Sequence, residues 1–224
     1  MPRRKPVENV CVTLFAPRFS PGFLRVGVAS TNLIATGNPQ APVFDMTLSS
    51  SFADNYFRLF DLPQQFAVDP ARLGERYRQL QGELHPDRHA HGSDLEQRMA
   101  VQYSALVNEA YATLRRPLSR ALYLLQLAGM SAEEVAAQQV DGSFLITQME
   151  LREKLETVPT LVDPDEVLEH LVAEISADLE GEQEQFARAH AAGDIGAAAS
   201  ACVRMQYLDK LLQETEQLES DLMD

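Results

Sequence analysis

Pro86 constrains this chain more than any other single residue. Leu73, Tyr77, Leu80 and Leu84 recur at spacings of four, three and four, which puts them on one side of an α-helix. Proline has no N–H to donate and its ring clashes with the preceding turn, so that helix must stop at Leu84. Asp69-Pro70 opens it, an N-cap acid followed by proline at the first helical position. Beyond the break, Ser93 with Glu96 three residues on is a capping box. It predicts a second helix to about Leu114, with Met99, Tyr103, Leu106, Ala110 and Leu114 along one side. Two helices with matching stripes and a short connection form an antiparallel hairpin.

The rest of the chain after Ser50 reads the same way. A short helix is expected over Asp54 to Phe60, ending before Leu62-Pro63 because the residue before proline avoids the helical region. Pro117 starts another helix, carrying Leu118, Leu122, Leu125 and Leu127, and Gly129 ends it. Ser131 with Glu134 is one more capping box. Helices follow at roughly 143–157, 164–191 and 194–222, the second opened by Asp163-Pro164 and the last two separated by Gly193-Asp194. No strand-like alternation, internal repeat or glycine-rich linker intervenes. The expectation is an all-α protein of two helical units, at 51–127 and 131–224, the second a three-helix bundle.

Residues 1–50 differ in kind. The first 45 hold five basic residues, two acids and six prolines, with no sustained period. Such a segment cannot bury enough apolar surface to offset its ordering entropy, so a disordered extension is expected. Three readings compete: a transit peptide, although the proline spacing interrupts any amphipathic helix, a short binding arm, and a start codon placed too early. The last is the plainest, because Met46 begins a chain that reads as complete.

Charge and cysteine content exclude several functions. The net charge is −14, the wrong sign for a protein whose partner is a nucleic-acid backbone or an anionic membrane. Cys11 and Cys202 are the two cysteines, too few for a disulfide framework or a four-cysteine zinc site, and a reducing cytoplasm is the expected setting. No run of about 18 apolar residues is present to span a membrane.

The hairpin loop carries the chemistry. It reads His85-Pro86-Asp87-Arg88-His89-Ala90-His91-Gly92. Proline fixes the turn, so His85 and Asp87 should stand exposed at the tip, where a carboxylate can accept a bidentate bond from another protein's arginine. The preceding helix shows Arg72, Arg76 and Arg78 away from its apolar stripe. In an acidic chain these three are expected to form one positive face that steers an acidic partner. His85, His89 and His91 do not suit a metal, since the loop is bent by proline and binding needs three or four convergent donors. An exposed His and Asp also lack the pocket and nucleophile that catalysis needs. Cys202 reads as a small buried thiol. The run Glu180, Glu182 and Glu184 reads as a solvated helix surface. No P-loop or dinucleotide fingerprint occurs. No cofactor, metal or catalytic residue is expected.

Tyr56-Phe57-Arg58-Leu59-Phe60 with Leu62, the arginine-bearing helix, His85-Pro86-Asp87 and Asn108-Glu109-Ala110-Tyr111 resemble a J domain. Leu114-Arg115-Arg116-Pro117-Leu118-Ser119-Arg120-Ala121, then Phe144-Leu145-Ile146-Thr147-Gln148-Met149-Glu150-Leu151-Arg152-Glu153, then Tyr207-Leu208-Asp209-Lys210-Leu211 narrow the likeness. Over nearly all of 52–224 the chain resembles the HscB family, J-type co-chaperones of iron–sulfur cluster assembly. That resemblance implies an HscA-like chaperone of the DnaK class as partner, its ATPase stimulated through His85, Pro86 and Asp87, with docking aided by Arg72, Arg76 and Arg78. It also implies an IscU-like scaffold held by Leu145, Ile146, Met149, Glu150, Glu153 and Tyr207. The helical spacing of Leu145, Ile146, Met149 and Glu153 agrees with one shared side, although a stripe of this kind also suits a bundle core. The chain would then activate an ATPase without being an enzyme. The competing readings are a J-type co-chaperone serving a different client and a helical adaptor with no chaperone activity.

Overall fold

The computed structural model describes residues 55–85, 88, 92–161 and 163–223. Of the residues named above, Asp54, Pro86, Asp87, His89, Ala90 and His91, together with the whole of 1–50, lie outside them. Every regular element among the described residues is helical.

Local capping sets the boundaries. Helix α1 is Tyr56–Leu59, shorter than the expected Asp54 to Phe60. The Asn55 side chain accepts from Arg58 N at 2.9 Å and opens it. Asp61 follows at φ 51, a left-handed conformation that an α-helix cannot continue through. Helix α2, Pro70–Glu83, starts on the Asp69 carboxylate, which accepts from Ala71 N at 2.9 Å and Arg72 N at 3.3 Å. Helix α3, Asp94–Arg115, begins with the reciprocal Ser93–Glu96 box. Helix α4 is Pro117–Leu127, and Gly129 at φ 90 turns the chain beyond it. Helix α5, Ala132–Ala136, carries the second reciprocal box, Ser131–Glu134. Helix α6, Gly142–Thr157, is capped by Asp141, which accepts from Phe144 N at 2.9 Å. A 3₁₀ turn, Val158–Thr160, leads towards α7, Pro164–Ala191. Gly193 at φ 77 reverses the chain into α8, Ile195–Met223.

Helices α7 and α8, of 28 and 29 residues, form a hairpin about 40 Å long at 1.5 Å per residue. Its two ends serve different cores. Next to the Gly193 turn, Phe186, Ala198, Ala199, Ala201, Cys202 and Met205 join Phe57, Phe60, Leu73, Leu80, Leu114, Leu124 and Leu125 in one apolar cluster. The small residues at the start of α8 let neighbouring helices approach closely. At the other end Leu151, Leu155 and Val158 pack with Leu168, Leu171, Ile175, Leu208 and Leu211, closing a three-helix bundle of α6, α7 and α8. The α2–α3 hairpin and the long hairpin thus share buried surface continuously, and Phe66, in the connection before α2, is tilted against Phe186 with ring centres 4.9 Å apart.

Candidate functional site

Two surfaces present the residues singled out by sequence. The first is the tip of the α2–α3 hairpin. Leu84 closes α2 by donating to Leu80 O at 2.9 Å, and its side chain is buried. His85 immediately follows and is exposed. Its carbonyl accepts from Arg88 N at 3.0 Å, and Arg88 Nη1 donates to Gly82 O at 3.1 Å. A cation on the last carbonyls of a helix is favourable for the helix dipole, so Arg88 helps fix the point where the loop leaves α2. Sequence reading passed over Arg88, and a basic residue just past a helix end was the available signal.

The three arginines of α2 do not make one face, which corrects the expectation. At about 100° per residue, Arg72 and Arg76 share a side of the helix while Arg78 lies about 200° round from Arg76. Arg72 Nη2 donates to Asp61 O at 2.9 Å, and Arg76 Nη2 pairs with the Asp61 carboxylate at 2.9 Å. Two guanidinium groups therefore hold the left-handed Asp61 turn from below. Arg78 is exposed and runs back along α2, with Nη1 3.5 Å from where a Cβ on Gly74 would stand. Between these two sides, Tyr77 stacks on Tyr111 at 4.0 Å and donates to Asn108 Oδ1 at 2.9 Å, which locks α2 to α3. Tyr56 stacks on Tyr123 at 4.4 Å and bonds Glu109, and burial first, then that carboxylate, pushes its phenol above the ordinary range.

The second surface is on α6, which is apolar on two opposite sides. Gln148, Leu151 and Leu155 face the bundle and are buried. Leu145, Ile146 and Met149 face outward, 40%, 59% and 70% exposed. Glu150 and Glu153 are exposed on the same outer side. Tyr207, on α8, is half-buried and meets the edge of Phe144 with ring centres 6.1 Å apart. Of the six residues expected to form this patch, five thus stand on the open side of α6, and Tyr207 supports its first turn. Ion pairs hold the helix in place: Arg152 to Glu214 at 3.1 Å on α8, and Lys154 to Glu174 at 3.1 Å on α7. The capping carboxylate of Asp141 is held below its ordinary range by hydrogen bonds from Ser143 and Phe144 N, with a smaller contribution from Arg204.

Comparison with known proteins decides the family. The family described as the HSCB C-terminal oligomerisation domain matches residues 140–216. A curated relative named co-chaperone protein HscB homolog, from Shewanella loihica, is 40% identical over 171 residues, covering 75% of this chain and 99% of the relative. The homolog of the same name from Aeromonas hydrophila is 39% identical over 170 residues, covering 76% and 99%. This chain belongs to the HscB co-chaperone family. The solved structure of chaperone HscB from Vibrio cholerae superposes with a TM-score of 0.68 at 39% identity, covering 75% of this chain and 99% of that one. The crystal structure of human co-chaperone protein HscB gives 0.68 at 32% identity, covering 75% and 83%.

Within this HscB-family chain, one further feature was missed by sequence reading, the inward turn of Glu182, whereas Cys202 is buried as the sequence led one to expect. Glu182, expected on a wet surface with Glu180 and Glu184, instead turns inward to pair with Arg204 Nε at 2.8 Å. The partner lies on the next helix, so no local pattern could reveal it. Cys202 is fully buried, and burial pushes its thiol up to about 12. Among the described residues, no group of three or more His, Cys, Asp or Glu side chains could hold a metal ion, and no helix is long and apolar enough to cross a membrane.

Proposed function

We propose that this chain is a cytoplasmic co-chaperone of iron–sulfur protein maturation. Residues 51–127 act as a J domain on an HscA-like chaperone of the DnaK class. Residues 131–224 bind an IscU-like scaffold. The observation that carries the reading is the outer side of α6. Leu145, Ile146 and Met149 are exposed apolar side chains on one side of the helix, beside Glu150 and Glu153. A contiguous apolar patch with a charged rim is what a protein–protein interface needs, and methionine adapts to a partner's shape.

The hairpin supports the other half. His85 stands exposed where α2 ends, next to Pro86 and Asp87 in sequence. Together they touch the chaperone and accelerate its ATP hydrolysis, while Arg72, Arg76 and Arg78 supply steering charge from two sides of α2. The chain itself hydrolyses nothing. Its role is to bring a scaffold-bound complex to the chaperone so that delivery and ATP hydrolysis coincide.

Calorimetric titration of an IscU-like scaffold into wild type and Ile146→Asp tests the reading. Binding by the wild type, lost in Ile146→Asp and kept in His85→Gln, is the expected pattern. Stimulation of a DnaK-class ATPase with no scaffold binding would favour a J-type co-chaperone of a different client.

A further inference from the structure

Seven methionines occur in the chain, and five of them lie among the described residues. Met205 is fully buried, and Met99 and Met130 are partly buried. Met149 and Met223 are open to solvent, 70% and 77% exposed. Met223 ends α8 about two and a half turns beyond Glu214, the residue that pairs with Arg152. It therefore lies well past Met149 along the bundle. Met149 stands in a different setting. Leu145 and Ile146, four and three residues before it, flank it on the outer side of α6. It is the most exposed of the three, and its thioether is the one group among them with an electron pair to give.

Peroxides oxidise a thioether in a two-electron step. A sulfur lone pair attacks the terminal oxygen of a hydroperoxide, the O–O bond breaks as the S–O bond forms, and the hydroxyl proton passes to the departing oxygen. Sulfur is oxidised to the sulfoxide, while an organic hydroperoxide is reduced to its alcohol or hydrogen peroxide to water. The new oxygen can only accept a hydrogen bond. Glu150 and Glu153, exposed on the same side, are acceptors as well, and Arg152 is already bound to Glu214 at 3.1 Å. A sulfoxide at 149 thus gains no donor from these neighbours and meets a partner's apolar surface as an unmatched polar group.

We propose that Met149 is a modification site through which a peroxide weakens the outer side of α6: oxidation to the sulfoxide releases the scaffold, and reduction restores binding. This rests on the reading of that side as the scaffold-binding surface. The fold is indifferent to the change, because the Met149 side chain is mostly in water and Leu151 and Leu155 hold α6 in the bundle.

The test treats full-length wild type, Met149→Leu and Met223→Leu with hydrogen peroxide and then removes the excess. Peptide mass spectrometry maps the sulfoxides, and an IscU-like scaffold is titrated calorimetrically. Met149 and Met223 should oxidise before Met205. After treatment the dissociation constants of wild type and Met223→Leu should rise roughly tenfold or more, with an unchanged thermal midpoint. Met149→Leu should stay at its own untreated value. Methionine sulfoxide reductases with a thiol reductant should restore the wild type. Oxidation of Met149 no faster than Met205, full affinity in protein oxidised at Met149, an equal rise in Met149→Leu, or no recovery with the reductases would each overturn the proposal. Failure of untreated wild type to bind the scaffold would overturn the scaffold reading and the proposal with it, and shows before peroxide is added.

Discussion

Met149→Ala and Leu151→Ala, two residues apart on α6, should have opposite consequences. Leu151 is 1% exposed within the bundle core. Truncating a buried leucine costs about 2–5 kcal/mol, from lost transfer energy and the cavity left behind. In a chain of this size that lowers the thermal midpoint by roughly 5–15 °C, at about 2–4 °C per kcal/mol. Met149 is 70% exposed. Burying a whole methionine is worth about 1.5–3 kcal/mol. Three tenths of that is about 0.5–0.9 kcal/mol, reduced further by alanine's better helix propensity. Urea unfolding of the two variants followed by helical circular dichroism measures both values. Scaffold binding should reverse the order, weakened by Met149→Ala and retained by Leu151→Ala wherever that variant is folded. A loss above about 2 kcal/mol for Met149→Ala, or below about 1 for Leu151→Ala, would refute the assignment of the two sides of α6.

Arg204→Met should destabilise by about 3–5 kcal/mol, because it strands Glu182 in a site where the two side chains are only 17% and 15% exposed. Lys154→Met should cost at most about 1 kcal/mol, its pair with Glu174 being half in water, and urea midpoints separate the two. Stability should fall as pH rises from about 9 towards about 12: the unfolded thiol of Cys202 loses its proton near 9.0, while the folded one holds it to about 12. The raised phenols of Tyr56 and Tyr123 act in the same direction at higher pH. Cys202→Ala should therefore lose less stability than wild type between pH 9 and pH 10, by up to about 1.4 kcal/mol, and equal losses would contradict the buried thiol. Phe186→Ala, which empties a fully buried site between Phe66 and His190, should cost about 3–5 kcal/mol in one transition seen alike by circular dichroism and tyrosine fluorescence.

The helices were legible because their boundaries are local events. Asp69-Pro70, Ser93 with Glu96, and Ser131 with Glu134 each bond within a turn of themselves, so four residues are enough to read them. The stripe of α2 was legible for the same reason. What sequence could not supply were pairings made across helices. The Arg204 partner of Glu182, the insertion of Phe66 against Phe186 and the burial of Arg120 all depend on how α4, α7 and α8 pack. Arg78 was misplaced by proximity in sequence, since residues two apart on a helix lie about 200° round from each other. The outer side of α6 was ambiguous because apolar residues line both of its sides, and only the packing of Leu151 and Leu155 decides which side is core.

The central claim is that one chain couples a chaperone-activating hairpin to a scaffold-binding face. Steady-state ATP hydrolysis by an HscA-like chaperone, with and without an IscU-like scaffold, measures it directly in wild type, His85→Gln and Ile146→Asp. The wild type should accelerate hydrolysis, and the scaffold should raise the rate further. His85→Gln should abolish both effects, and Ile146→Asp should keep the first and lose the second. Stimulation by His85→Gln equal to wild type, or an intact scaffold increment in Ile146→Asp, would contradict the account.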